Sequence, residues 1–349
     1  MRARTKSYLS CLLCFLAGCM LISALSGCEP SGKKIAFFPY KSADTFISEM
    51  MDYMTAQVPE DVSYEVRDAG NSQSVQNQQI IEMIDDGYDL FVINVVDRLA
   101  CSSIVEKCSK ESLPVIFFNR EPLKDALLGR NAYYVGTDAE SQGEKQAEMV
   151  ASLFTNNFRG TRFDKNNDDI VQLVILKGEQ GHQDAEKRTN SCVARLKSLG
   201  LKTEVLAIEV ADWNRKDGQD AMKRLYEDYG DEIELVFSNN DDMALGAIDY
   251  LLEAGVFSTS NRIDEQPFVI VGVDGTAVGL EAIERGLLYG TIKNDFKKQS
   301  DAIMILTDYI LNDKSFNDFP YEFQEKQFIY INSIDDDIVT LNSLKQKAG

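Results

Sequence analysis

The chain has 349 residues, 44% of them hydrophobic and 26% charged. That is enough for two ordinary domains or one large one, and too apolar for a disordered chain. The formal net charge of −20 speaks against nucleic acid as a partner, because phosphate contacts need clustered Lys and Arg.

Residues 1–27 read as an export signal and not as part of the fold. Arg2, Arg4 and Lys6 supply positive charge, an apolar run follows over about 8–25, and LSGC (25–28) ends it with small residues. A permanent membrane helix is the alternative, but small residues directly before a cysteine favour cleavage. LSGC resembles the lipobox of bacterial lipoproteins. That implies cleavage before Cys28, lipid on its sulfur, and a tether over 28–34 that holds a soluble domain to a membrane surface without spanning it. The expected location is therefore extracytoplasmic or periplasmic, with the membrane reached only through lipid.

Of seven cysteines, Cys11, Cys14 and Cys19 leave with the signal and Cys28 is the lipid site, so Cys101, Cys108 and Cys192 remain. Export permits disulfides. Cys101 and Cys108 are seven apart in what reads as one helix, roughly 10 Å along its axis, which is too far to bridge. Buried, reduced thiols are expected.

From residue 34 onward, short apolar runs alternate with amphipathic stretches. KIAFF (34–38) is the first buried strand and DTFISEMMDYMTAQV (44–58) the helix after it. DLFVIN (89–94), PVIFFN (114–119) and VQLVILKG (171–178) are further strands. The helical AEKRTNSCVARLKSLG (185–200) follows, closed by Gly200 as a C′ residue, and then come ELVFSN (234–239) and FVIVGVD (268–274). DMALGAIDYLLEA ends at Gly255 in the same way. Continuous apolar strands alternating with helices predict an α/β fold with parallel sheets. No sequence repeat is visible, although two similar βαβ halves of unrelated sequence fit the pattern.

Many of these runs end in a polar residue: Asn94, Asn119, Asp138, Asn240 with Asp241, Asp274, and Asn294 with Asp295. Ligands of parallel α/β sheets bind beyond the carboxyl ends of the strands. Each such residue alone suits a turn or a helix cap. Together they suggest a polar small-molecule site. Amides, carboxylates and an arginine suit a ligand made of hydroxyls, since Asp accepts, Arg donates and Asn does both. Trp213, the only tryptophan, and Phe46 beside Asp44 are candidates to cover an apolar sugar face, with core packing the plainer alternative for Trp213. GEQGHQDAEKRT (178–189) holds the only histidine, His182, followed by Asp184 and Arg188. A glycosidase reading would pair Asp44, Asp184 or Asp274 as carboxylates. No nucleophile elbow, zinc signature, kinase set or phosphate loop accompanies them. Turnover of aryl glycosides would discriminate the two readings.

DKNNDDIVQ (164–172) places Asp164, Asn166, Asp168, the Ile170 carbonyl and Gln172 at positions 1, 3, 5, 7 and 9 of an EF-hand-type calcium loop. Asp169 replaces the usual glycine at position 6, and Ile175 at position 12 is apolar. A solvated acidic turn fits the spacing equally well.

Taken in order, NQQIIEMIDDGYDLFVIN, VIFFNREP, AYYVGTD, VILKGEQGHQDAEKRT, SNNDDMALGA, VGVD and GTIKND resemble the bacterial galactose/glucose-binding proteins, the substrate-binding subunits of sugar ABC importers. The likeness runs from about residue 34 to 348. It implies the type I periplasmic binding protein fold, two Rossmann-like parallel-sheet lobes joined by a three-segment hinge. The lobes would be 35–136 with 295–328, and 137–294 with 329–346. It also implies that Asp44, Asn119, His182, Asp184, Arg188, Asn240, Asp274 and Asn294 bond D-glucose or D-galactose, and that Phe46 and Trp213 sandwich the ring. A structural Ca2+ would be held by the 164–172 ligands with Glu234 as the distal carboxylate. The implied partners are a monosaccharide and an ABC permease, with a chemotaxis receptor as a further possible one, and the protein would be a monomer. A pentose, nucleoside or signalling sugar is the alternative ligand, and a glycoside-processing enzyme a more distant one.

Overall fold

The computed structural model describes residues 32–154, 163–260 and 262–348. The signal, the lipobox with Cys28 and the tether through residue 31 lie outside the described residues.

The first half alternates strictly: β1 (Lys34–Phe38), α1 (Thr45–Thr55), β2 (Ser63–Val66), α2 (Gln73–Asp85), β3 (Leu90–Ile93), α3 (Cys101–Lys110), β4 (Val115–Phe118), α4 (Lys124–Leu127) and β5 (Ala132–Thr137). The second half repeats the alternation with α5 (Ala139–Phe154), β6 (Val171–Lys177), α6 (Gln183–Ser198), β7 (Thr203–Val210), α7 (Arg215–Tyr229), β8 (Leu235–Ser238), α8 (Asp241–Glu253), β9 (Val269–Asp274), α9 (Ala277–Glu284) and β10 (Gly290–Lys293). Four elements close the chain: α10 (Phe296–Leu311), β11 (Phe328–Ile331), β12 (Ile338–Thr340) and α11 (Leu341–Ala348).

The strands form two six-stranded sheets, ordered β11-β5-β4-β3-β1-β2 and β12-β10-β9-β8-β6-β7. Within each, the first five strands of that half follow the same doubly wound order, 2-1-3-4-5. The order reverses beside β1 in one sheet and beside β6 in the other, and such reversals open a crevice at the strands' carboxyl ends. Among the described residues the strands pair in parallel except β10 with β12, and one isolated antiparallel bridge joins Gln324 to Phe328. The chain passes between sheets after Thr137, after Lys293 and after Ile331. The expected break at 328/329 falls inside a strand, since Phe328–Ile331 pairs in full with β5, and the last passage lies between Ile331 and Ile338.

Helices cover both faces of each sheet, which explains the unbroken apolar runs of the central strands. Along β1, Ile35 and Phe37 pack with α1 and α10, while Ala36 and Phe38 pack with α2 and α3. Along β6, Leu173 and Ile175 face α5 and α6, whereas Val174 and Leu176 face α7 and α8. This is the two-residue strand period applied to a sheet buried on both sides. Cys101, Cys108 and Cys192 are buried free thiols in these layers, the first two on α3. Among the described residues no helix is long and apolar enough to cross a membrane.

Candidate functional site

The carboxyl ends of the two sheets meet around one cavity of about 370 Å3, its mouth included. The structure brings all ten expected side chains to its wall: Asp44, Phe46, Asn119, His182, Asp184, Arg188, Trp213, Asn240, Asp274 and Asn294. Tyr40, Ile47 and Arg120 also line it and were not read from the sequence. Arg120 directly follows the strand-end Asn119, so its position carried a usable signal.

The first lobe contributes the turn after β1 and the end of β4. Asp44 caps α1, its Oδ1 accepting from the Ile47 N–H at 2.9 Å and its Oδ2 from the Tyr40 hydroxyl at 2.7 Å. Each oxygen keeps a second lone pair for a ligand. Asn119 lies in the left-handed region (φ 60°), which Asn tolerates better than most residues. Its Oδ1 accepts from the Asn94 amide at 3.2 Å. Asn94 thus sits behind the wall and orients Asn119.

The second lobe contributes the start of α6. His182 caps this helix, its Nδ1 accepting from the Asp184 N–H at 3.1 Å. That bond fixes the tautomer with hydrogen on Nε2. Burial, and then the charges of Arg120 and Arg188, hold the imidazole pKa well below its ordinary value, so the ring is a neutral donor. Arg188 is locked by Gln142 and by the Asn239 carbonyl, both at 2.8 Å. Asp184 is 3.8 Å from the Arg188 guanidinium, too far for a hydrogen bond. Its carboxylate is therefore buried with a charge nearby and acceptor capacity left over. Burial raises its pKa.

Trp213 adopts a positive φ of 63°, unusual for so bulky a side chain. Asn240, which caps α8, anchors it by donating from Nδ2 to the Trp213 carbonyl at 3.2 Å. The indole packs edge-on to His182 at 5.0 Å and lies 5.7 Å from the Arg188 guanidinium. Gly178 makes room for it: a Cβ there would meet Trp213 Cζ2 at 2.3 Å.

Asp274 ends β9 with φ 121°, and accepts from Asn294 Nδ2 at 3.3 Å. Gln299 in turn donates to Asn294 Oδ1 at 2.8 Å. Burial pushes the Asp274 carboxyl well above its usual range, against the pull of Arg188. The other strand-end polar residues serve the frame. Asp241 binds Thr276 and Thr291 from inside the second lobe, Asp295 caps α10, and Asp138 accepts from the Glu140 N–H.

The acidic loop before β6 folds around its own carboxylates. The Asp168 N–H donates to Asp164 Oδ1 at 3.0 Å, and the Ile170 N–H to Asp168 Oδ1 at 2.8 Å. Asp169 takes φ 64°, the conformation for which a calcium loop ordinarily employs glycine. Glu234 is buried beside the loop and accepts from the Lys165 and Gln172 N–H groups at 2.8 and 3.1 Å. Burial, reinforced by the charges of Asp164 and Asp168, raises its pKa to about 7 despite those two bonds. Gln172 Oε1 is buried without a partner. Crowded carboxylates and an orphaned amide oxygen suit a hard cation. Among the described residues, no three His, Cys, Asp or Glu side chains form a metal-binding group by themselves. A cation would thus also draw on Asn166, Gln172 and the Ile170 carbonyl.

Two lobes of identical strand order, facing each other across a polar cavity at their carboxyl ends, define a ligand-binding protein of the periplasmic type. The chain belongs to the periplasmic binding protein family, matching its domain over residues 35–315. It is 33% identical over 310 residues to the D-galactose/methyl-galactoside binding periplasmic protein MglB of Haemophilus influenzae, covering 87% of this chain and 89% of that protein. Among solved structures, an ABC transporter solute binding protein of Bacillus halodurans with bound myo-inositol aligns with a TM-score of 0.73 at 24% identity, covering 92% of this chain and 98% of that one. A periplasmic solute binding protein of Actinobacillus succinogenes with bound D-allose gives 0.73 at 19%, over 90% and 99%. These two similarities establish the fold alone.

Proposed function

We propose that the protein is an exported, lipid-anchored sugar receptor that captures D-glucose or D-galactose between its lobes and hands it to an ABC permease. One observation carries this reading: ten polar and aromatic side chains, scattered from residue 44 to 294, line a single cavity. Its chemistry suits a hexose. Asp184 and Asp274 are buried acceptors with spare lone pairs, Arg188 and His182 are donors, and Phe46 and Trp213 offer flat apolar faces. A hydroxyl bonded to a buried charged group gains about 1.5–3 kcal/mol. The 33% identity to a D-galactose/methyl-galactoside binding protein supports this ligand class above others.

The working lobes would be 35–136 with 295–331, and 137–294 with the segment after residue 331, the last boundary set at the end of β11. Sugar contacts to both lobes would stabilise the closed form. Cleavage before Cys28 and lipid on its sulfur would keep the receptor beside its permease. The loop with Asp164, Asn166, Asp168, Ile170, Gln172 and Glu234 would hold a structural Ca2+.

The test uses the lone tryptophan. The chain from Ser31 is refolded free of sugar and titrated with D-glucose and D-galactose while Trp213 emission is read. A saturable micromolar change supports the reading, and the ratio of midpoints assigns preference. A flat signal with flat calorimetry rejects both hexoses.

A further inference from the structure

Arg120 lies where the two lobes touch. Its guanidinium stacks 4.0 Å over the Tyr40 ring, and Nη1 donates to the Val96 carbonyl, both in the first lobe. Nη2 donates at 2.7 Å to Glu179 Oε2, which belongs to the loop after β6 in the second lobe. The Arg120 side chain is 5% exposed and that of Glu179 39%. Arg120 Nε is buried without a partner, although the residue lines the ligand cavity. Arg120 and Glu179 also wall a second cavity of about 740 Å3, its opening included, which shares Arg120 and His182 with the first. Other contacts join the lobes: Thr45 donates to Asp242 at 2.7 Å, and Gln183 donates to Glu121. None of those four residues lines the inner cavity.

We propose that Arg120 couples ligand occupancy to lobe closure, its inner Nε–H donating to a ligand oxygen while its outer Nη2 bolts the first lobe to Glu179 of the second. The proposal rests on the reading of the cavity as a site for hydroxylated ligands. Glu179 does not line the inner cavity. It acts by favouring the closed form, and the apparent affinity of every ligand scales with that population. Removing the Glu179 charge therefore weakens all ligands by one common factor and leaves selectivity unchanged. Because Glu179 is partly exposed, salt screens the bolt.

The experiment compares wild type, Glu179→Gln, Arg120→Met and the double variant by calorimetry against D-galactose, D-glucose, D-ribose and myo-inositol, at low and high salt. Thermal melting verifies that each variant is folded. For each ligand the wild type binds, Glu179→Gln is expected to weaken binding by about 5- to 20-fold, a typical coupling, with the ratio between ligands preserved and the salt dependence reduced. Arg120→Met should bind more weakly still, since it loses donor and bolt together, and the double variant should match it. A wrong choice of sugar leaves this comparison intact. Affinity within twofold of wild type for Glu179→Gln, or a loss confined to one ligand, overturns the bolt. Equal losses in Glu179→Gln and Arg120→Met overturn the Nε donor. A wild-type protein that binds none of the four overturns the reading of the cavity itself, and the coupling with it.

Discussion

Replacing Asp184 by Asn separates binding from folding. The residue is 4% exposed, in the first turn of α6. Its nearest cation, Arg188, is 3.8 Å away and already bonded to Gln142 and the Asn239 carbonyl. Two effects oppose each other in the ligand-free protein. The helix N-terminus favours the negative charge by about 0.3–1 kcal/mol. Burial disfavours it and, together with the charge of Glu121, raises the pKa above its ordinary 3.8 against the pull of Arg188, Lys187 and Arg120. The sign for stability follows. Between the ordinary and the raised pKa the folded state binds more protons than the unfolded state, so stability is greatest below the ordinary value and falls as pH rises through the raised one. Above the raised pKa the ionised carboxylate therefore costs folding energy that a ligand hydroxyl recovers. Asp184→Asn should leave the ligand-free Tm at pH 7 equal to or above wild type, with any gain shrinking toward pH 4. Hexose affinity should fall roughly 10- to 150-fold, the equivalent of losing about 1.5–3 kcal/mol from one charged acceptor. Scanning calorimetry without ligand and isothermal titration with it measure the two arms. A lowered Tm at pH 7 with affinity unchanged would refute the reasoning, because Asp184 would then be a structural ion-pair member and no ligand acceptor.

Gly178→Ala places a Cβ 2.3 Å from the Trp213 ring; the indole must shift, so emission and hexose affinity should change while Tm moves little, and an unaltered titration would show that Trp213 does not need this site. Chelating calcium should lower the Tm. Because Glu234 must lose its proton to bind the cation and is held at about 7, added calcium should raise the Tm more at pH 8 than at pH 6, and an equal effect at both would remove Glu234 from the ligand set. Burial pushes Cys108 and Cys192 to about 12 and Cys101 higher still, so a thiol reagent at pH 7.5 should label none of the three in the folded chain from Ser31 and all three in guanidinium.

The central strands are legible in the apolar runs of the sequence alone. Six apolar runs read from it correspond to β1, β3, β4, β6, β8 and β9, because a strand buried on both faces has apolar side chains in both directions. β2 and β7 escaped. Ser63–Val66 and Thr203–Val210 are edge strands with exposed or half-buried side chains, and their polar, broken patterns resemble loops until a neighbour supplies the ladder. The ten residues lining the candidate cavity were legible because strand ends and helix caps carry amides and carboxylates at recognisable places, and because those segments resemble a family. What each does was not legible. Asn94 and Asn119 end neighbouring strands in the same kind of residue, yet the first supports the second from behind. Asp184 and Arg188 stand within ion-pair distance four residues apart, but the tertiary structure gives the guanidinium's hydrogen bonds to Gln142 and Asn239. Tyr40 and Arg120 come together from two strand ends of the first lobe, and Glu179 joins them only where the lobes meet. Local sequence fixes which face of a strand or helix is apolar, since that is a matter of period. Whether a buried carboxylate keeps a free lone pair depends on partners from distant segments, and only the packed tertiary structure assigns those.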